Sequence, residues 1–126
     1  MESYRTADGL TIEVFMTDEN FNAIYEEFNG RFFGGTLPAY QIQFGNVTRP
    51  DGRQKEGHVD RERQAITISA RLVFKDQVRR GLLHYMTHVF TGDGSHDGAF
   101  VAKLEQLARE GERWAACQVR QFRGNR

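Results

Sequence analysis

His84-Tyr85-Met86-Thr87-His88 is the stretch on which the reading of this chain turns, and His96 follows it in Ser95-His96-Asp97-Gly98-Ala99-Phe100. Two histidines four apart share one face of a helix, because about 3.6 residues per turn brings i+4 back to nearly the azimuth of i, roughly 6 Å further along the axis. That is the spacing of a helical metal-ligand pair. In its catalytic form, His-Glu-x-x-His, both imidazoles hold Zn²⁺ and the Glu takes a proton from the water that the metal activates. Here Tyr85 stands at the Glu position. The third histidine, past the Gly92-Asp93-Gly94-Ser95 break, completes a three-His set in which a turn returns the chain to the metal. His84, His88 and His96 are therefore the candidate ligands and Zn²⁺ the candidate cofactor, against the plainer reading of surface or core histidines without a metal. His58 stands alone and reads as a structural histidine.

Outward from that stretch, Val78, Leu82, Leu83, Met86, Val89 and Phe90 supply the apolar face of the helix that carries His84 and His88, with Asp76 as its expected N-cap and Arg79 and Arg80 outside. Beyond the Gly-rich break, Phe100, Leu104 and Leu107 recur at i, i+4 and i+7, a second helix reaching about Glu110 and stopped by Gly111. Trp114, Ala115, Ala116, Val119 and Phe122 then give residues 111–126 enough apolar surface for a helical turn or two, or else a basic tail.

Upstream, Leu10, Ile12 and Val14 alternate with Thr11 and Glu13, so residues 1–16 read as an extension or a short half-buried strand. Thr17 and Asp18 are N-cap residues, and Phe21, Ile24, Tyr25 and Phe28 fall at helical spacing, which predicts a helix from about Asp18 to Phe32 ended by Gly34-Gly35. Tyr40, Ile42 and Phe44 alternate as a strand after Pro38. Pro50-Asp51-Gly52 is a turn in which Pro presets φ and Gly accepts φ > 0. Gly57-His58-Val59 and Ala65-Ile66-Thr67-Ile68-Ser69 complete a small antiparallel sheet.

The 126 residues suit one domain spanning 1–126, with a core that needs no disulfide staples. The single cysteine, Cys117, excludes an internal disulfide and a four-Cys zinc site. No apolar run approaches the roughly 18 residues of a membrane span, and the start, Met1-Glu2-Ser3-Tyr4-Arg5, has no apolar signal region, so the expectation is a soluble, cytoplasmic protein with no membrane partner. The 17 basic and 17 acidic residues cancel but are unevenly placed. Glu2, Asp8, Glu13, Asp18, Glu19, Glu26 and Glu27 face only Arg5 before residue 31, whereas Arg113, Arg120, Arg123 and Arg126 outnumber Glu112 after Gly111. Such a tail can touch phosphates weakly, but a pI near 6.9 lacks the charge of a dedicated nucleic-acid domain.

The motifs also carry a resemblance. Ile24-Tyr25-Glu26-Glu27-Phe28-Asn29-Gly30-Arg31-Phe32-Phe33-Gly34-Gly35-Thr36-Leu37-Pro38 resembles the opening helix and F-x-G-x-L-P segment of SprT-like (Spartan-type) zinc metallopeptidase domains. Ile66-Thr67-Ile68-Ser69-Ala70-Arg71-Leu72 resembles their I-x-I-S-x-x-L segment. Leu82-Leu83-His84-Tyr85-Met86-Thr87-His88 is similar to L-L-H-E-M-x-H, and His96-Asp97-Gly98-Ala99-Phe100 to H-G-x-x-F. The likeness covers about residues 18 to 110. It implies a minimal α+β zincin fold, with a small, mainly antiparallel sheet packed on an N-terminal helix and the metal helices. It also implies Zn²⁺ on three histidines and, in active members, cleavage of protein substrates, in the Spartan branch of proteins crosslinked to DNA.

Two departures stand out. Asp97 intervenes between His96 and Gly98, and Tyr85 replaces the general base. A base contributes roughly 10²–10⁴-fold, and a phenol of pKa about 10 stays protonated near neutrality, so Tyr85 is no simple substitute. It can fill a fourth metal position, hydrogen-bond the activated water, or turn away and fill the cleft. The expected function is a zinc-binding domain of weakened or absent peptidase activity that binds a peptide or protein. One alternative is an active hydrolase with Asp97 or Asp93 as relocated base, with Glu105 another nearby carboxylate; another is a metal-free structural or DNA-associated module.

Overall fold

The computed structural model describes residues 2–72, 75–92 and 96–124. Asp93 and most of the Gly-rich break, Arg126, and the side chains of Phe122 and Arg123 lie outside what is described. Six strands and four helices are built: β1 (Glu2–Arg5), β2 (Thr11–Thr17), α1 (Glu19–Phe32), β3 (Gln41–Thr48), β4 (Gln54–Lys55), β5 (Gly57–Asp60), β6 (Ala65–Ser69), α2 (Lys75–Thr91), α3 (Gly98–Arg109) and α4 (Arg113–Gly124). Together they form a small α+β domain.

The sheet runs β1-β2-β3-β6-β5, with β4 also paired to β3. It is mixed rather than wholly antiparallel, because β3 and β6 pair in parallel, Gln41 beside Ala65 through Gly45 beside Ser69. The Pro50-Asp51-Gly52 turn does reverse the chain, returning β4 antiparallel to the end of β3. The chain from Gln54 to Asp60 then leaves β3 and pairs antiparallel with β6. That switch puts β5 at the sheet edge, beside α2.

Residues 2–5, polar in sequence, form a strand because β2 offers them a partner, Glu2 opposite Val14 through Arg5 opposite Thr11. Leu10, Ile12, Val14 and Val47 bury together under Tyr4 as a second, smaller core. A shift in register between Val14 and Met16 bends β2 against β3. There Gly45 is obligatory, since a Cβ on it would lie 1.7 Å from the carbonyl oxygen of Glu13.

The main core lies between the sheet and the helices. α1 begins where expected, with Asp18 Oδ1 accepting from the Asn20 N–H at 2.8 Å. It buries Tyr25, Phe28 and Phe32 against Ile42, Phe44, Ile66 and Ile68. α2 adds Val78, Leu82, Leu83 and Met86, and α3 adds Phe100, Leu104 and Leu107. Two expectations are corrected. Asp76 lies inside the first turn of α2 rather than capping it, where its carboxylate still meets the positive end of the helix. Phe90 is 46% exposed, resting on Phe33 and beneath Lys103 instead of entering the core. α4 is a full helix and not a frayed tail, held by buried Ala115 with Trp114 and Val119 packed beside it. Arg113 and Arg120 stand on its exposed surface. No helix among the described residues is long and apolar enough to cross a membrane.

Candidate metal centre

The histidines predicted as ligands come together. His84 and His88 project from one face of α2, and His96 precedes α3 by two residues. One ring nitrogen from each lies within 4.8 Å of the other two. The His84 Nε2 to His88 Nε2 separation is 3.2 Å and that from His84 Nε2 to His96 Nε2 is 3.4 Å. A tetrahedral zinc with Zn–N bonds of about 2.05 Å separates its ligand nitrogens by about 3.3 Å. The donor set therefore fits a metal ion in chemistry and spacing.

Each ring is placed by a local device. Asp97, the residue that interrupts the third motif, is the N-cap of α3, its Oδ1 accepting from the Ala99 and Phe100 N–H groups at 3.1 and 3.2 Å. The cap fixes the chain reversal, and His96 is carried to the cluster just before it. Phe100 rises from the first turn of α3 beneath all three imidazoles, with ring centroids 5.2, 4.6 and 4.8 Å from His84, His88 and His96. It makes an apolar floor.

On the other side of His84, Nδ1 lies 3.3 Å from Gln118 Oε1 of α4. A carbonyl oxygen can only accept, so the Nδ1 proton faces Gln118 and Nε2 keeps its lone pair for the cluster. Burial, and then the neighbouring His88, push the His84 pKa down to about 4, which keeps that ring neutral at physiological pH. Neutral imidazole is the form that binds metal. Arg61 Nη2 donates to the His88 carbonyl at 3.0 Å, tying the loop after β5 to α2.

Tyr85 is half-buried, its ring edge-on to His84 at 5.1 Å. It is pressed against β5: a Cβ on Gly57 would come within 2.5 Å of its Cε2 and 2.8 Å of its Cζ. Gly57 thus makes room for the ring. Burial, with the negative charge of Glu56 adding to it, raises the Tyr85 pKa to about 12, so the phenol stays protonated. It lines two cavities. One, of about 390 Å³, is shared with His84, Glu56, Trp114 and Gln118; the other, of about 260 Å³, is shared with His88, His58, Lys55 and Arg61.

Of the carboxylates picked out from sequence, Asp97 is engaged as a cap, Glu105 sits on α3 and lines neither cavity, and Asp93 lies outside the described residues. The carboxylate that does line the larger cavity with His84 and Tyr85 is Glu56. It had no signal in the sequence, being an ordinary polar residue between two short strands and 28 positions before His84. Gln118 was equally silent. Comparison with protein-family models, with curated proteins and with solved structures returned no match to this chain.

Proposed function

We propose that this chain is a zinc-binding domain of SprT-like, zincin type whose peptidase activity is absent or greatly weakened. The observation that carries the reading is the convergence of three imidazole nitrogens at metal-ligand spacing beside a protonated tyrosine where a general base belongs. A zinc ion in such a site supplies Lewis acidity and activates water. Around it, Gln118 orients His84, Phe100 keeps one side dry, and Tyr85 can donate a hydrogen bond but cannot accept a proton at neutral pH. The outer edge of β5 ends the sheet beside this centre and suits an extended peptide added as a further strand.

Zinc content of the purified chain, together with peptidase assays of the native protein and Tyr85→Glu, tests the reading. Expected are one zinc per chain, lost in His84→Ala and His88→Ala, and little native cleavage with a gain in Tyr85→Glu. Robust native cleavage with no gain in the variant would overturn the loss of catalysis.

Glu56 favours a second reading, an active hydrolase with its base supplied from the β4–β5 junction. Its carboxylate shares the cavity of His84 and Tyr85. Native cleavage abolished by Glu56→Gln at unchanged zinc content would select it.

A further inference from the structure

On the other side of Tyr85 from Glu56 lies the smaller cavity, of about 260 Å³, bounded by Tyr85 and by His88 of the metal cluster. Its remaining polar walls are Lys55, His58, Arg61 and Asp8. We propose that this cavity is an anion subsite that takes a carboxylate side chain of a bound peptide, next to the metal centre.

Positive charge exceeds negative along these walls. Lys55 is only half exposed, yet among the described residues no carboxylate lies within ion-pair distance of its ammonium group. Burial, and then the nearby Arg49, hold its pKa below the usual lysine value and outweigh the opposing pull of Asp8. Arg61 spends one N–H on the His88 carbonyl and has further donors in its planar fork. Burial and the charge of Lys55 lower the His58 pKa, which leaves a neutral ring able to donate one hydrogen bond. Against these stands Asp8, whose Oδ1 already accepts from the Thr6 hydroxyl. Asp60 also neighbours His58, but its Oδ1 accepts from the Arg63 N–H, and it is not a wall of the cavity. Two cations, Lys55 and Arg61, thus share a recess of side-chain size with one carboxylate, Asp8, one of whose oxygens is already engaged by Thr6.

A peptide fits this recess better than a phosphate backbone does. Lys55 and His58 lie on β4 and β5, so a strand laid along the β5 edge carries its own side chains past them at every second residue. A nucleic-acid groove would instead require an unbroken run of cations, and here Arg49 and Lys55 are interspersed with Asp8, Asp51 and Asp60. The choice of a peptide rests on the proposed function; the cationic recess stands with or without the metal.

The test uses the full chain, with and without zinc, and two acetylated, amidated tetrapeptides, Ala-Ala-Asp-Ala and Ala-Ala-Asn-Ala, followed through the ring resonances of His58. The aspartate peptide is expected to bind about tenfold tighter than its amide twin, the difference made by a charge-assisted hydrogen bond. The preference should vanish in Lys55→Gln and persist in Lys55→Arg, which retains the charge and controls for folding. Equal binding of the two peptides, or a preference that survives Lys55→Gln, overturns the proposal. So does a deoxythymidine decamer that moves the same resonances at lower concentration than the peptide. An aspartate preference in a chain that binds no zinc would sink the metal reading alone, whereas stoichiometric zinc without the preference would sink the subsite alone.

Discussion

Two junctions of this domain gather polar groups, and they do so in opposite ways. At the C-terminal end of α1 every group shown has its complement. The Asn29 side chain accepts from the Leu37 N–H and donates to the Leu37 carbonyl, both at 3.0 Å; the Tyr25 hydroxyl donates to the Pro38 carbonyl at 2.6 Å; and the Lys103 ammonium group donates to the Phe32 carbonyl. Donors meet acceptors, and the loop from Gly34 to Pro38 is fixed without help. At the junction of α2, α3 and α4, three imidazole nitrogens face one another instead. His84, kept neutral by burial, turns its Nε2 toward the other two rings. The first junction is closed by protein groups, and the second brings three ligand-type nitrogens close enough together to hold a metal ion. The difference separates a polar cluster that pins a loop from one spaced to hold an ion.

The comparison can be broken first with metal. At roughly a thousandfold excess over its dissociation constant, zinc should stabilise the native chain by about 4 kcal/mol, seen as a rise in the thermal midpoint that is absent in His88→Ala. No rise would place the histidines with the self-contained junction. Next, Asn29→Leu should destabilise the chain by about 3 kcal/mol, since it leaves the buried N–H and carbonyl of Leu37 without partners. Denaturant unfolding should find that loss equal with and without zinc, because the α1 junction does not use the metal.

A smaller effect is expected of Gln118→Leu. It should weaken zinc about 10–100-fold by freeing the His84 ring, with little change in the stability of the metal-free chain. Zinc titration against a competing chelator reads the first and thermal unfolding the second. The smallest effect concerns the salt bridge that ties α2 to the start of α4, where Arg79 Nη2 meets Glu112 Oε1 at 2.5 Å. The Arg79 hydrogen bond holds the Glu112 pKa below its ordinary value of 4.5. Its stabilisation is therefore present above that value and fades as pH falls through the lowered folded-state pKa. Glu112→Gln should cost about 1 kcal/mol at neutral pH, a modest figure because Arg79 is partly solvated, and should flatten the loss of stability on acidification. Unfolding midpoints measured from pH 3 to 7 would show it.

Much of this architecture was legible from periodicity. Phe21, Ile24, Tyr25 and Phe28 announce α1, and Asp18 is its cap, because a helix repeats its buried face at a spacing that the sequence carries directly. The alternation of Tyr40, Ile42 and Phe44 likewise announced β3, and all three are buried. β1 was not legible, since a polar strand is defined by its partner and not by its own pattern. Nor was the parallel pairing of β3 with β6, because both edges of a strand offer the same backbone groups and only the route of the chain decides which neighbour takes which edge. The length of α4 was underestimated for a related reason: its hold on the core is Ala115, a side chain too small to stand out in a pattern of large apolar residues.

The sequence by itself determined that His84 and His88 share a helix face, that Tyr85 lies on the turn between them, and that His96 follows after a Gly-rich break. These are local facts, set by helical spacing and by the breaking residues between. Tertiary structure alone decided which distant groups surround the cluster. Gln118 reaches His84 only because α4 packs back on α2, Glu56 arrives only because the chain leaves β3 for β6, and Lys55 and Arg61 flank Tyr85 only because β5 forms the sheet edge. Residues far apart in the chain are brought together by packing that buries apolar area, and that driving force has no direction along the sequence.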